Sequence, residues 1–471
     1  MHDSREPNYM KNFLPYAFAA FLVGIVGGLS TVLGPAFMQN MNLAYSNATW
    51  TALSQAISTA ACAPILGKLG DIFGRRKTLL LGILVFTLGS VFSALSTSLL
   101  FLLVARFVVG VGTAAINPTV MSYIITEFPP QQIAKGFSLY MLVSSASVIF
   151  GPTLGGLILG ISDWRVLMWI SAIISAIFLL LCFFLLPKQH YVRKPLLDFD
   201  LTGAFFVIVF FSLLLCVPSF GQNFGWSSSP FLWVLFLSFF ALAGLILTEK
   251  KVKNPILIGN FMTRKAFILP VIILFLTQGL MQANMTNTIV FVNYTQPDNT
   301  TISGYAISIM YLGMSLGSIL LGPLADRLEP KRILTVSLSL TGIGCGIMLF
   351  YSASTTFLTL ASSLGILGFG LGANATIFMK IVLSNLPATA AGTGTGIYGL
   401  FRDLAAPFGV AVFVPLFTNE IIRLSSNGTP PLSAPAAAVS SVHMLAIIEL
   451  FCVATGLVIV QLLPKIYQNK V

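Results

Sequence analysis

The chain has 471 residues, 56% of them hydrophobic and 8% charged, with a mean hydropathy of +0.92. A soluble domain is about 25% charged, and no single aqueous core absorbs this much apolar surface, so a polytopic membrane protein is the class that fits. The net charge of +11 suggests nucleic acid until its placement along the chain, described next, excludes that reading.

In chain order, Met1 to Lys11 is too polar for a signal peptide, and the first apolar run is long enough to be retained as a span. Runs of about 20 apolar residues begin near Phe13, Trp50, Thr78, Leu99, Gly136, Val166, Leu201, Ser229, Phe267, Ser303, Ile333, Phe357, Gly392 and His443. They have no strand-like alternation, so the expected fold is an all-α integral membrane protein with 14 transmembrane helices. An even count puts both termini on one side. If that side is the cytoplasm, every Lys and Arg lies there except Arg165 and Arg423 on the other side and Arg106 and Arg402 inside spans. The positive-inside rule then fixes the expected orientation in a cell membrane of bacterial type, both termini cytoplasmic. Cys62, Cys182, Cys216, Cys345 and Cys452 all lie in apolar runs without ligand spacing, so no disulfide, metal or cofactor is expected.

The chain repeats itself. "GKLGDIFGRRKTLL" (67–80) follows the second span and "GPLADRLEPKRILT" (322–335) the tenth, so Gly67 and Asp71 recur as Gly322 and Asp326 at an offset of 255. Two pseudo-symmetric six-helix bundles, 13–187 and 266–463, with two inserted helices at 199–248, account for this spacing. The same offset carries Gly151 and Pro152 onto Ala406 and Pro407.

"GKLGDIFGRRK" resembles the signature between the second and third spans of the major facilitator superfamily. "LLVARFVVGVGTAAINP" (102–118) resembles that superfamily's fourth-span motif, with Arg106 at the charged position. "GPTLGG" (151–156) resembles the fifth-span motif of drug–proton antiporters, and "DWR" (163–165) and "DFDLTG" (198–203) also fit. With its span count the whole chain looks like the fourteen-span drug–proton antiporters. That resemblance implies a non-enzymatic, proton-coupled exporter of amphipathic drugs. No motif names a substrate, and the first span (21–37) lacks the acid that exporters of cationic drugs often carry there.

A charge inside a span costs several kcal/mol and is usually paired or faces a cavity. Asp403 sits near mid-depth, and Arg402 beside it projects about 100° away, so the two are expected to meet different neighbours. Asp403 reads as a proton site or as half of a fixed interhelical bridge; Arg402 reads as a structural or gating charge. Arg106 reads as a coupling residue, by resemblance, or as a packing charge. Glu449, expected about 10 Å in from the outer end of its span, is a second acid, a cation contact, or an interfacial acid bonded near His443.

Gly67, Asp71, Arg75, Arg76, Glu127 and Asp326 are expected to form a cytoplasmic gate, by resemblance; a plain topology anchor is the alternative. Asp71 is suited to a positive helix N-terminus, and "AGTGTG" (391–396) supplies one. Gly151, Pro152, Gly155 and Gly156 mark a helix bend that shapes the cavity seal. Gln278, Met281, Gln282 and Met285 recur at i, i+4 on the ninth span and, with Asn117, Asn374 and Tyr398, form the expected substrate cavity or else tie helices together.

The expected function is therefore alternating-access export of small amphipathic molecules against protons, by a monomer in the bilayer, with no nucleic-acid partner. No GxxxxGK[ST] loop occurs, so ATP is not the expected energy source. Transport of an endogenous solute, such as a lipid-like metabolite or sugar, is the alternative within the class. A proton-translocating respiratory subunit is disfavoured, because the spans hold no Lys and the chain only three His.

Overall fold

A computed structural model describes residues 8–31, 33, 37, 41, 45–159, 161–186, 200–252, 265–296, 301–383, 391–426 and 433–463. These residues fold into helices: α1 (Asn8–Thr31), α2 (Tyr45–Phe73), α3 (Arg75–Ala94), α4 (Leu99–Glu127), α5 (Ile133–Leu159), α6 (Trp164–Leu185), α7 (Leu201–Phe224) and α8 (Ser229–Glu249). Then come α9 (Lys265–Thr295), α10 (Thr301–Leu321), α11 (Pro330–Ile347), α12 (Phe357–Leu383), α13 (Ala391–Ser426) and α14 (Ala434–Leu462), with a short turn of helix at Leu324–Arg327. No strand occurs among the described residues.

Helix ends fall where the sequence offers caps. The side chains of Ser98, Asp163, Asp200 and Ser228 accept backbone N–H groups at the starts of α4, α6, α7 and α8. Among the described residues, 13 helices are long and apolar enough to cross a membrane, against the 14 expected. The one not counted is α5, several of whose side chains lie outside the described set. Exposed Leu100, Phe184, Trp233, Phe240 and Phe451 present apolar side chains outward, as lipid requires and water would not permit.

One boundary corrects the expectation. The last helix starts at Ala434 rather than near His443, because "SAPAAAV" is helical: Ser433 is the N-cap, Pro435 lies in the first turn, and the alanines favour helix. Glu449 is consequently fifteen residues from the start of α14 and thirteen from its end, in the middle of the span rather than near its mouth.

The chain forms two compact units. The first comprises Met1–Gly136, Ala146–Met262 and Leu383–Asp403; the second comprises Phe137–Ser145, Thr263–Val382 and Leu404–Val471. In the first, α2 and α3 pack on α4, α3 on α6, α1 on α4 and α6, α8 on α7, and α7 on α2. Small residues set these distances: a methyl at Gly112 would fall 2.5 Å from the Phe86 backbone nitrogen. In the second unit, α14 packs on α9 and α11.

Candidate functional site

In the first unit, α2, α4 and the start of α13 converge at a point fixed by glycine. A Cβ on Gly67 would lie 2.1 Å from the Gly392 carbonyl oxygen, so only glycine lets α2 and α13 approach this closely. That approach puts Asp71 against the N-terminus of α13. Its Oδ1 accepts the Gly392 N–H at 2.8 Å, and its Oδ2 accepts the Thr393 N–H at 2.8 Å and the Thr393 hydroxyl at 2.9 Å. The first turn of a helix has orphan donors and a partial positive charge, and a carboxylate answers both.

About three turns further along α13, Arg402 and Asp403 enter a small cavity that Thr59, Thr113, Asn117 and Thr395 also line. Pro118 on its wall has no N–H to offer the Ala114 carbonyl four residues back. The Pro118 carbonyl itself accepts from the Thr395 hydroxyl at 3.0 Å. The site thus combines one acid, one guanidinium and several hydroxyl and amide groups inside apolar helices.

The two charges meet each other. Arg402 Nε donates to Asp403 Oδ1 at 2.9 Å, with side-chain exposures of 20% and 22%. This corrects the expectation that neighbours on a helix point at separate partners. The 100° offset holds for Cβ directions, but the long arginine side chain curls back until its Nε reaches the adjacent carboxylate.

Arg106 is buried in α4 at 2% exposure and does not line this cavity. It lies on the same face of α4 as Thr113 and Asn117, about 10 and 16 Å along the axis. The other charges around the first-unit turn separate. Arg75 Nη2 bonds Glu127 Oε1 at 2.9 Å; Arg76 Nη2 donates to the Phe183 carbonyl at 3.0 Å. In the second unit, Asp326, the repeat counterpart of Asp71, pairs with Lys380 Nζ at 2.6 Å, and the same ammonium donates to the Ala325 carbonyl at 2.7 Å.

Gly151 in α5 approaches Gly28 of α1 so closely that a Cβ would fall 2.5 Å from the Gly28 Cα. Gly155 is buried, and the side-chain positions of Pro152 and Gly156 lie outside the described residues. Tyr398 is fully buried in α13. In the second unit Gln278, Met281, Gln282 and Met285 are half-buried on α9, and Met285 Sδ accepts from the Tyr311 hydroxyl at 3.4 Å. The Asn374 carboxamide bonds Ser337 and, at 3.5 Å, Thr341, both on α11. Glu449 is buried at 1% exposure and bonds Asn284 Nδ2 at 2.9 Å, while His443 is occupied by the Tyr351 carbonyl.

Sequence reasoning missed Thr59, Thr113, Thr395, Asn284, Asn287 and Lys380. The "TQGLMQANMTNT" stretch held a signal for two of them, since Asn284, Asn287, Thr288 and Phe291 follow helical spacing on one face.

The family described as the Major Facilitator Superfamily matches residues 16–292 and 247–410. The chain belongs to that superfamily. It is 24% identical to "Multidrug resistance protein 3" of Bacillus subtilis (strain 168) over 79% of this chain and 72% of that protein. It is 26% identical to "Uncharacterized MFS-type transporter MT1926" of Mycobacterium tuberculosis over 83% of this chain, spanning 58% of that relative's length. The crystal structure of the human organic anion transporter MFSD10 superposes with a TM-score of 0.65 at 15% identity, covering 95% of this chain and 100% of that one, which shows the shared fold. This superfamily member is a multi-pass membrane transporter and not an enzyme.

Proposed function

We propose that this transporter exports amphipathic drugs in exchange for protons, as a monomer with both termini in the cytoplasm. The observation that carries the reading is the Arg402–Asp403 pair, two charges lining a small cavity among apolar helices, large enough for a water-sized particle and not itself a drug pocket. A relative named for multidrug resistance supports the choice of drug over other solutes. Asp403 takes and releases the proton, its charge balanced by Arg402 between turnovers. Arg106 tunes that exchange from further along α4, and Glu449 is a second acid. Gln278, Met281, Gln282 and Met285 contact the drug, since thioethers and amides adapt to varied ligands. Asp71 on the α13 N-terminus, with Arg75, Arg76, Glu127 and Asp326, holds one access state, and two six-helix bundles, 13–187 and 266–463, alternate around the site. Each proton entering down a potential of about 100 mV supplies about 2.3 kcal/mol.

The test is dye export in proteoliposomes under an imposed pH gradient. Wild type is expected to export a cationic dye only when the gradient is present. Asp403→Asn is expected to lose gradient-driven export while reaching the membrane at normal amounts. Normal export by that variant removes Asp403 from the mechanism, and export by wild type without any gradient removes proton coupling.

A further inference from the structure

The second unit contains a buried acid with no counter-ion among the described residues. Glu449 is 1% exposed, and among the described residues no ion pair reaches it. Oε1 accepts from Asn284 Nδ2. The Cys345 thiol, a weak donor, lies near the same carboxyl. Oε2 has no partner within hydrogen-bond geometry. An ionised carboxyl in this setting is costly unless something positive or protic completes it.

Its surroundings mix apolar walls, Phe291, Met348, Val442 and Leu445, with a few polar groups. Glu449 lines a cavity together with Asn284, Asn287, Thr288 and Tyr351. Asn287 is 7% exposed, and among the described residues neither its amide oxygen nor its amide nitrogen has a partner within hydrogen-bond geometry; the Tyr351 hydroxyl, near the Ser363 side chain, has none within that geometry either. Buried polar atoms are ordinarily satisfied, so several orphans around one cavity indicate a missing occupant. The cavity is about 20 Å³, room for about one water-sized particle and far too small for a drug. The orphan acceptors are all oxygens: a carboxylate, a carboxamide and a phenol. Hard cations take oxygen ligands of this kind. One carboxylate balances one positive charge, which selects a monovalent over a divalent ion in a dry site.

We propose that Glu449, Asn287 and Tyr351 form a binding site in the second unit for a single small alkali cation of the Na⁺ class, with Asn284 orienting the carboxylate. The site shares Glu449 with the export reading, in which it is a second acid, but its occupancy is read with no drug and no gradient present.

The probe is radiolabelled Na⁺ added to the full-length chain purified in detergent, with N-methyl-D-glucamine chloride holding ionic strength constant. Saturable binding of about one Na⁺ per chain is expected, displaced by unlabelled Na⁺ and not by N-methyl-D-glucamine, with a thermal midpoint that rises as Na⁺ is added. Glu449→Gln abolishes the binding, and Asn287→Ala weakens it about tenfold or more. A wild-type chain that binds no Na⁺ overturns the site whatever the variants do. Binding that survives Glu449→Gln in protein with an unchanged midpoint overturns it as well. A midpoint that follows pH but is the same in Na⁺ and N-methyl-D-glucamine also overturns it, and leaves Glu449 a protonation site. Since the assay contains no drug, its failure and the failure of proton-driven export are separate results.

Discussion

Two carboxylates of the first unit are satisfied in different ways. Asp403 has a guanidinium at 2.9 Å, a partner that can move away with one side-chain rotation. Asp71 has two backbone N–H groups and a hydroxyl of α13, all at 2.8–2.9 Å. Backbone donors cannot rotate away; they leave only if the helix itself leaves. Asp71 is therefore a fastener and Asp403 the more mobile charge. Asp71→Ala strands two amide donors, each costing about 1–3 kcal/mol, and removes a charge from the positive end of a helix, worth about 0.3–1 kcal/mol. The expected outcome is a lower unfolding midpoint in detergent and faster amide exchange at Gly392 and Thr393. Thr393→Val, which deletes the hydroxyl and keeps both amides, is expected to cost less. Equal midpoints for wild type and Asp71→Ala would show that the contact contributes nothing to the fold.

At the scale of the helix, α13 is 36 residues long, about 54 Å at 1.5 Å per residue against a hydrocarbon core of about 30 Å. Its first thirteen residues belong to one compact unit and the rest to the other. What seats the beginning of this helix is the absence of side chains. Gly67 and Gly392 face each other, and a Cβ on Gly392 would fall 2.4 Å from the Gly67 carbonyl oxygen and 2.7 Å from Asp71 Oδ1. Gly67→Val is expected to push α2 and α13 apart, break the Asp71 bonds and reduce export by about tenfold or more, a loss of some 1.4 kcal/mol in transition-state stabilisation. Gly346→Ala on α11, where an added Cβ meets nothing within 4 Å, is the control and is expected to export normally. Export and membrane level measured together separate a closure defect from a folding defect. The contact between Asp71 and "AGTGTG" was legible in the sequence because each half has its own signature: an acid in a repeated turn, and a glycine-rich helix start. Glu449 and Asn284 were not legible as a pair, since 165 residues separate them and neither belongs to a repeated pattern. The depth of Glu449 was misjudged because hydropathy alone finds the apolar part of a helix and overlooks an alanine-rich first turn. The Arg402–Asp403 bond was misjudged because Cβ geometry governs short side chains better than long ones.

For the whole molecule, the decisive asymmetry is charge. Lys and Arg cluster at or just before the starts of odd-numbered helices, as at Arg75, Arg76 and Lys77 in the first turn of α3, while Arg165 in the first turn of α6 stands almost alone at the opposite ends. Short basic loops resist translocation and remain cytoplasmic. If the N-terminus is inside, proton entry and drug exit run in the directions that the proposed exporter requires; if it is outside, the same cavity would import. The orientation is therefore part of the mechanism, and it has a direct assay. In a chain whose five cysteines are replaced, single cysteines at two exposed positions, Lys77 at the start of α3 and Ser162 before α6, are expected to label oppositely. A membrane-impermeant maleimide applied to intact cells should modify Ser162→Cys and leave Lys77→Cys untouched until the membrane is permeabilised. The reverse pattern would invert the topology, and with it the assignment of Asp71 to a cytoplasmic gate. Labelling of both positions in intact cells would mean that the chain inserts in two orientations, and that its basic turns do not fix its direction.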